Sequence, residues 1–319
     1  MAGVGSGEGG RERLMTAPAP IMDQLRGELR IDEPLARHTV WGIGGPAKRF
    51  YRPAGVTDLA RFLAGLPADE PIFWLGLGSN VLVRDRGIDG TVIASDALDE
   101  IELLEGTLLR VQAGVPCPKV AKFSAARALS GSEFFAGIPG TMGGALAMNA
   151  GAFGGETWDL VESVETIARD GTLGRRAASE YLTGYRSVEG PADEWFTAAV
   201  LRLSTDDDGK AAVRIRELLR QRAESQPMGT RNCGSVFRNP PGDYAARLIE
   251  SSGLKGERVG KAVVSEKHAN FIINTGGASA ADVETLITRI AKRVAADSGV
   301  NLVREVRIIG RADDGGGER

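Results

Sequence analysis

The amino-acid sequence predicts an α+β fold. Segments with strand patterns are short and numerous, and only a few helical patterns stand among them. The two kinds of element do not alternate regularly, as they would in a doubly wound parallel sheet. With 319 residues, of which 42% are apolar and 25% charged, the chain has the composition of a globular protein and enough length for two domains.

The individual elements follow from local patterns, taken in chain order. Strands are predicted at 47–51, 72–75, 91–94, 100–104, 108–113, 161–168, 196–204, 264–274 with a break around Lys267, and 303–309. Helices are predicted at 58–66, 117–129, 211–224 and after Ser279. The last helix begins with a capping signal, because Asp282 follows Ser279 by three residues. Its apolar stripe consists of Val283, Leu286, Ile287, Ile290 and Val294.

The domain organisation is predicted from a change in composition. Near residue 205 the run TDDDGK precedes a charged helix that we expect to be exposed. We therefore expect a first domain over 21–215, made of two subdomains, and a smaller C-terminal domain over 216–310. Residues 1–20 and 311–319 are rich in small and charged residues, which predicts disordered tails.

Charge and residue usage exclude several classes of protein. The net charge of −3 leaves no basic field for nucleic acid or an anionic membrane, and no apolar run approaches the length of a membrane span. Two histidines and two cysteines are too few for a His-based metal site or a disulfide framework, so no metal is expected. We expect a cytoplasmic monomer that acts on small molecules.

A glycine-rich stretch at 131–156 is the most unusual part of the chain. It contains eight glycines among 26 residues, interleaved with apolar side chains such as Phe134 and Phe153. Glycine in a buried stretch indicates positive φ or a closely pressed backbone, and successive main-chain N–H groups can bind an anion. The stretch is thus either part of a site for a large phosphorylated ligand or a tightly turned core loop.

A second glycine loop, GLGSNV at 76–81, follows the strand predicted at 72–75. It is not the dinucleotide fingerprint, because Val81 stands where the third glycine would be, and no Gly-Lys-Ser/Thr of a P-loop occurs. The two loops could converge on one pyrophosphate, with Asn80 and Asn149 as side-chain donors. The candidate cofactor-binding residues are Gly76, Leu77, Gly78, Ser79, Asn80, Val81, Gly137, Ile138, Pro139, Gly140, Thr141, Gly143, Gly144, Asn149, Ala150 and Gly151.

Three polar residues stand in apolar or turn surroundings. They are Arg186 in GYRS, Ser235 in NCGSVF and Glu305 in the strand predicted at 303–309. Residue type alone also allows a surface charge, a turn hydroxyl and the outward side of a strand, respectively.

Seven motifs occur in the order in which they occur in the UDP-N-acetylenolpyruvoylglucosamine reductases, and the chain resembles that family in them. They are HTVWGIGGPA, LGLGSNVLV, FAGIPGTMGGALAMNAGAFGGE, GYRS, NCGSVFRNP, SEKHANFIIN and EVRIIG. The resemblance covers residues 25–310. It implies an FAD-binding domain of the vanillyl-alcohol-oxidase type, followed by a smaller α+β substrate-binding domain, in the form of the family without an inserted substrate loop.

The resemblance also implies a reaction. NADPH would reduce bound FAD, and UDP-N-acetylglucosamine enolpyruvate would then be reduced to UDP-N-acetylmuramate for peptidoglycan synthesis. By motif, Arg186 and Glu305 would polarise the enolpyruvyl carboxylate and Ser235 would donate a proton. Tyr185, Arg186, Asn239 and Glu305 would contact the substrate.

Two alternative functions remain from the sequence. One is another FAD-dependent oxidoreductase of the same fold that acts on a hydroxy acid or an alcohol, and the other is a non-catalytic module that binds flavin or a nucleotide sugar. The chain also departs from many family members at Phe153, where they carry Tyr, and at Val263, where they carry Gln.

Overall fold

The computed structural model of the chain describes residues 25–312. The tail expected at 1–20, the expected domain start at residue 21 and positions 313–319 lie outside the described residues. Of the C-terminal tail expected from 311, Arg311 is described and is tied down, because its main chain donates to the carbonyl of Gly87 and its guanidinium to that of Arg86.

Twenty strands lie within the described range. Their bounds are β1 (Glu28–Pro34), β2 (Pro46–Arg52), β3 (Ile72–Leu75), β4 (Val81–Val83), β5 (Ile88–Ala94), β6 (Ile101–Leu103), β7 (Leu108–Gln112), β8 (Leu129–Ser130), β9 (Gly151–Ala152), β10 (Gly155–Glu156), β11 (Val161–Ala168), β12 (Leu173–Ala177), β13 (Leu182–Gly184), β14 (Ser187–Glu189), β15 (Glu194–Arg202), β16 (Ser204–Thr205), β17 (Arg258–Val259), β18 (Ala262–Val264), β19 (Ile272–Asn274) and β20 (Arg307–Ile309).

Six α-helices accompany them in the same range. Their bounds are α1 (Val56–Ala64), α2 (Cys117–Ala125), α3 (Met142–Met148), α4 (Ala211–Ser225), α5 (Ala245–Ser251) and α6 (Ala280–Ser298). The capping box predicted for the last helix is confirmed, since the Ser279 hydroxyl accepts from the main chain of Asp282 and the Asp282 carboxylate accepts from that of Ser279. The five residues of its predicted apolar stripe are all buried.

The strands form three main sheets. The first has the order β1-β2-β5-β3, with β5 parallel to both β2 and β3. The second is fully antiparallel in the order β12-β11-β15-β7-β6, and the third is the small antiparallel sheet β17-β18-β19. Strand β20 pairs in parallel with β4, which places residues 307–309 beside the strand at the end of the GLGSNV loop.

Several predicted elements are shorter in the structure, among them the strand predicted at 264–274, which is observed as β18 and β19, and the following two. The helix predicted at 117–129 ends at Ala125, because Ala128 has φ +54° and Leu129 then pairs with Thr205 as a strand. The strand predicted at 303–309 covers only β20. Arg304 forms an isolated bridge with Phe237 instead, and Glu305 donates its N–H to the carbonyl of Val236, so this segment pairs with another part of the chain.

The helix α4 differs from the exposed helix that its charges predict. Ala211 and Ile215 are buried, and Ile215 belongs to the core cluster built around the antiparallel sheet, against which Leu219 also packs. The many charged residues of this helix led to the prediction of full exposure, although Ala211, Ile215 and Leu219 form an apolar edge. The helix is continuous across the expected boundary at 215/216.

A second core cluster holds the C-terminal part of the chain together with residues from its start. Trp41 is fully buried there, its indole N–H donates to the carbonyl of Ile272, and its own carbonyl accepts from the Asn274 side chain. Burial of a large apolar side chain stabilises a fold by roughly 2–3 kcal/mol. The segment around Trp41 therefore helps to hold the C-terminal part of the chain against the N-terminal part.

None of the helices between residues 25 and 312 is both long and apolar enough to cross a membrane.

Candidate active site

A cleft of about 970 Å³ runs between the first sheet, the antiparallel sheet and the C-terminal part of the chain. Strand β3 and the start of β15 form its walls at one end. Ser235, Phe271 and Glu305 contribute to it from the C-terminal part. Of the sixteen candidate cofactor-binding residues, fifteen line the cleft, and Asn149 is the exception.

The two glycine loops meet in this cleft, as the sequence predicts. A Cβ on Gly76 would lie 2.4 Å from the hydroxyl oxygen of Thr141, and one on Gly140 would lie 3.4 Å from that of Ser79. Thr141 also caps the short helix α3, where its hydroxyl accepts from the N–H of Gly144. One loop therefore packs directly against the other.

The glycines of these loops serve two different purposes. Gly78 has φ +62°, and a Cβ there would lie 2.3 Å from the carbonyl oxygen of His38, so contacts within the protein require a glycine. Gly144 is different. Its Cβ would meet only the Thr141 hydroxyl, at 3.7 Å, and would otherwise project into the cleft. Only some of the glycines thus leave room for a ligand.

The Asn149 side chain is committed to the protein. Its amide nitrogen donates to the Glu156 carboxylate at 2.8 Å and to the Gly184 carbonyl at 3.2 Å, and its oxygen accepts from the N–H of Trp158 at 3.1 Å. This differs from the expectation of a side-chain donor to a phosphate. The Asn80 amide likewise donates to the carbonyl of Glu305, at 3.3 Å. These two side chains hold the loops in place.

Main-chain groups fit an anionic cofactor better. Within residues 25–312, the N–H groups of Ser79, Asn80 and Gly140 have no hydrogen-bond acceptor, and all three residues line the cleft. Trp74 and Trp195 also line the cleft and stack with 5.5 Å between their ring centroids, and the buried indole N–H of Trp74 has no partner in the described part of the chain. Free donors and aromatic rings in one cleft suit a pyrophosphate-linked aromatic cofactor such as FAD.

Arg186 is held by three acceptors at the edge of the cleft. It is the second residue of the two-residue turn between β13 and β14 and has φ +55°, which is uncommon for a residue other than glycine. Its guanidinium donates to the Glu305 carboxylate at 3.0 Å, to the carbonyl of Gly151 at 2.9 Å and to that of Asn149 at 3.3 Å. With 17% of its side chain exposed, it is not the ordinary surface charge that its residue type allows.

Glu305 is more buried still, with 11% of its side chain exposed. Burial raises the pKa of this carboxyl group, and the positive charges of Arg186 and Arg238 oppose that rise. The carboxyl group therefore faces the cleft with an increased affinity for a proton. It is not the outward side of a strand.

Ser235 lines the same cleft as the Arg186–Glu305 pair. It follows Gly234, which has φ +72° and donates its N–H to the side chain of Asn232. The next residue, Val236, accepts a hydrogen bond from the N–H of Glu305 and donates its own to the carbonyl of Asn270. The backbone around Ser235 is thus fixed between two neighbouring segments.

Two candidate substrate contacts lie outside the cleft lining. Asn239 accepts a hydrogen bond from the N–H of Ala245 at 3.1 Å, so its side chain stabilises the start of α5. The ring of Tyr185 is about half exposed and lies 5.3 Å from the guanidinium carbon of Arg186. The structure brings Arg186, Ser235 and Glu305 together in the cleft lining, whereas Tyr185 and Asn239 are not part of that lining.

Several cleft residues escaped the sequence analysis. Arg222 and Gln226 line the cleft from the end of α4, and Trp74, Trp195 and Phe271 contribute aromatic surface. The helix is rich in charged residues along its whole length, so the sequence did not distinguish Arg222 from the surface arginines around it. Trp74 was visible as an aromatic residue in a predicted strand, but its position in a cleft depends on sheet packing.

Comparison with known proteins agrees with this geometry. Residues 226–309 match the family model of the UDP-N-acetylenolpyruvoylglucosamine reductase C-terminal domain, and residues 47–175 match an FAD binding domain. A reductase of that name from Alkalilimnicola ehrlichii is 57% identical over 90% of this chain and 96% of its own. Its counterpart from Legionella pneumophila is 55% identical over 91% of this chain and 95% of its own.

Solved structures support the predicted fold class. The UDP-N-acetylenolpyruvylglucosamine reductase of Thermus caldophilus superposes with a TM-score of 0.76 at 35% identity, and the match covers 89% of this chain and 99% of that one. The 6-hydroxy-D-nicotine oxidase of Arthrobacter nicotinovorans shares the fold alone, with a TM-score of 0.52 at 13% identity and 89% coverage of each chain. The α+β fold with an FAD-binding domain of the vanillyl-alcohol-oxidase type is thereby confirmed. Because its identity to these reductases extends over nine tenths of its length, the chain belongs to the UDP-N-acetylenolpyruvoylglucosamine reductase family.

Proposed function

We propose that the chain reduces UDP-N-acetylglucosamine enolpyruvate to UDP-N-acetylmuramate, a step in the synthesis of peptidoglycan precursors. FAD is the bound cofactor and NADPH the reductant. The observation that carries the proposal is the Arg186–Glu305 pair, which lies beside Ser235 in the cleft that the two glycine loops line. The names of the relatives point to the same reaction.

FAD, when bound, supplies a hydride carrier between NADPH and the vinyl group of the substrate. The main-chain N–H groups of Ser79, Asn80 and Gly140, which have no acceptor within residues 25–312, would hold its pyrophosphate. A site of this kind needs no lysine and no metal ion, and it suits a cofactor that stays bound. The remaining cleft-lining residues of the two loops shape the walls around it.

Arg186 and Glu305 act on the substrate carboxylate. Arrival of a hydride at the vinyl carbon builds negative charge on that carboxylate, and a fixed guanidinium stabilises such charge. Because burial raises the pKa of Glu305, its protonated form can donate a hydrogen bond to the same group. One fixed donor of this kind is typically worth about 3 kcal/mol in the transition state.

Ser235 completes the addition. The hydride forms a C–H bond at the terminal vinyl carbon, and the electron pair of the double bond moves onto the neighbouring carbon and its carboxylate. A proton from the Ser235 hydroxyl then forms the second C–H bond. A serine is a weak acid, and it can act here because the carbanion it meets is strongly basic.

We further propose a cytoplasmic monomer with two domains. NADPH and nucleotide sugars are cytoplasmic compounds, which supports the proposed location. We place the domain boundary after Ser225 and not at 215/216, because α4 packs as a unit on the core of the first domain.

The alternatives have less support. An oxidase that acts on an alcohol or a hydroxy acid has no need for a proton donor to a carbanion, and a binding module needs no buried Arg186–Glu305 pair. The family membership favours the reductase over both.

Anaerobic spectroscopy of the purified protein tests the proposal. The protein should be yellow, NADPH should bleach its visible absorbance, and UDP-N-acetylglucosamine enolpyruvate should restore the colour without oxygen. A colourless protein that releases no flavin on denaturation would refute the enzymatic function. Bleaching by an alcohol or hydroxy acid in place of NADPH would favour the other oxidoreductase.

A further inference from the structure

Arg222 is a cation in the cleft that has no acidic partner among the described residues 25–312. It lies in the last turn of α4 and lines the cleft together with Gln226. The only hydrogen bond of its side chain within residues 25–312 runs from Nε to the side-chain oxygen of Gln226, at 3.0 Å. Burial lowers the pKa of this guanidinium, and no carboxylate opposes that effect. The side chain remains charged, since arginine does not lose its proton in proteins.

Other arginines of the same helix are satisfied in a different way. Arg214 contacts Glu133, Asp206 and Asp208. Arg220, which is exposed, contacts two glutamates of its own helix. A charge that is removed from water without a partner is costly, so a half-buried guanidinium in a cleft indicates an anion that arrives from outside.

The geometry of the pair leaves donors available. Because Gln226 accepts only from Nε, both terminal nitrogens of the Arg222 guanidinium and the amide nitrogen of Gln226 are without acceptors within the described part of the chain. A planar guanidinium with two such nitrogens matches the oxygens of a phosphate, which it can bind in a bidentate manner.

Contacts place Arg222 on the Ser235 side of the cleft. The Lys267 ammonium group donates to the carbonyl of Ala223, the residue next to Arg222. Phe271, four residues after Lys267, lines the cleft, and the adjacent Asn270 accepts from Val236, the residue after Ser235. These contacts therefore connect Arg222 to the segment that carries Ser235.

A purely structural role explains less. A cation in the last turn of a helix interacts favourably with the helix dipole, but that interaction is available to an exposed side chain as well. The guanidinium of Arg222 bonds to none of the helix carbonyls in the described structure. Arg307, another arginine of the cleft lining, is exposed and can remain hydrated.

We propose that Arg222 and Gln226 bind a phosphate group of the nucleotide that enters the cleft. The inference rests on the proposed function for the identity of that nucleotide. The phosphate belongs either to the uridine diphosphate of the sugar substrate or to NADPH, which visits the same cleft.

Calorimetric titration of the flavin-loaded protein with UDP and, separately, with NADP⁺ tests this site without any turnover. Arg222→Gln should weaken the binding of one or both probes by roughly ten- to a hundred-fold, the usual effect of losing a charge-assisted contact. Arg220→Gln, two residues away on the surface of the same helix, is the matched control and should change neither. Selective weakening of UDP assigns the site to the sugar nucleotide, and selective weakening of NADP⁺ assigns it to the reductant.

A second variant separates binding from folding. Gln226→Glu supplies Arg222 with the carboxylate that it lacks, so it should weaken the same probe while the thermal midpoint stays unchanged or rises. Purified Arg222→Gln that has lost its flavin would assign the residue to the cofactor and overturn the proposal. Probe affinities equal to those of Arg220→Gln, or no binding of either probe by the unmodified protein, would also overturn it. The colour changes of the unmodified protein report on the proposed function independently.

Discussion

The guanidinium Nε of Arg186 lies 3.0 Å from the carboxylate Oε1 of Glu305, although 119 residues separate them. The arginine comes from a two-residue hairpin turn with positive φ, and the glutamate from the segment just before the last strand. Each would be costly to bury alone. Their pairing therefore keeps the guanidinium and the carboxyl group together in the cleft, where we expect the substrate carboxylate.

Ser235→Ala tests the proton donor. We expect bleaching of the flavin absorbance by NADPH to stay nearly unchanged. The return of colour with the enolpyruvyl substrate should slow by roughly 10²–10⁴, the range for a lost general acid. Stopped-flow absorbance measures the two steps separately, and Ser225→Ala, on the exposed end of α4, serves as control. Equal slowing of both steps would contradict the assignment.

Arg186→Lys tests the guanidinium geometry. A lysine keeps the charge but cannot reach Glu305 and two main-chain carbonyls in the same plane. We expect kcat/KM for the enolpyruvyl substrate to fall by about 10² or more, with retained flavin. Steady-state kinetics checks the loss, and the exposed Arg258→Lys should have wild-type kinetics. A lysine variant with normal kcat/KM would show that charge alone suffices.

The titration of Glu305 should affect stability in a defined direction. Its pKa is raised in the folded protein above the value of 4.5 for an unperturbed carboxyl group, because burial disfavours the charged form. The folded state therefore binds the proton more tightly, and this contribution is fully present below pH 4.5 and is lost as the pH rises through the folded pKa.

Paired denaturation curves of the wild-type protein and Glu305→Gln can measure this effect. The free energy of unfolding of the wild type, relative to that of the variant, should decrease as the pH rises from about 4 towards neutrality. A relative stability that increases over the same range would mean that the ion pair with Arg186 outweighs the cost of burial.

Gly143 and Gly144 are neighbours with opposite expected responses to alanine. A Cβ on Gly143 would lie 2.9 Å from that of Ala113, so Gly143→Ala should destabilise the protein by about 1–3 kcal/mol. Gly144→Ala meets no close atom, and alanine favours a helix, so the flavin-free protein should gain up to about 1 kcal/mol.

The same Gly144→Ala methyl group projects into the cleft, and we expect weaker FAD binding despite the gain in stability. Urea denaturation of the flavin-free protein and fluorescence titration with FAD measure the two quantities. If Gly144→Ala binds FAD as tightly as the wild type, this face of α3 does not contact the cofactor.

Sequence patterns were sufficient where a single element determines the outcome. The capping box at Ser279 and the apolar stripe after it predicted α6 correctly, because both depend only on helix geometry. The strand at 161–168 was likewise predicted at its observed bounds. Patterns failed where the secondary structure of a residue depends on a distant strand partner. The predicted helix included Leu129, but in the structure Leu129 pairs with Thr205 as a strand.

For the site, the sequence by itself determined the chemistry that is available. It specified glycine loops without a lysine, few histidines, and a resemblance that singled out Arg186, Ser235 and Glu305. Only the tertiary structure decided which groups remain free. In the fold the Asn149 amide donates to the Glu156 carboxylate, and the Arg222 guanidinium has no acidic partner among the described residues. The reason is physical: a residue type fixes which hydrogen bonds and charges a side chain can offer, whereas burial and the nearest partners in the fold determine which of them are already used.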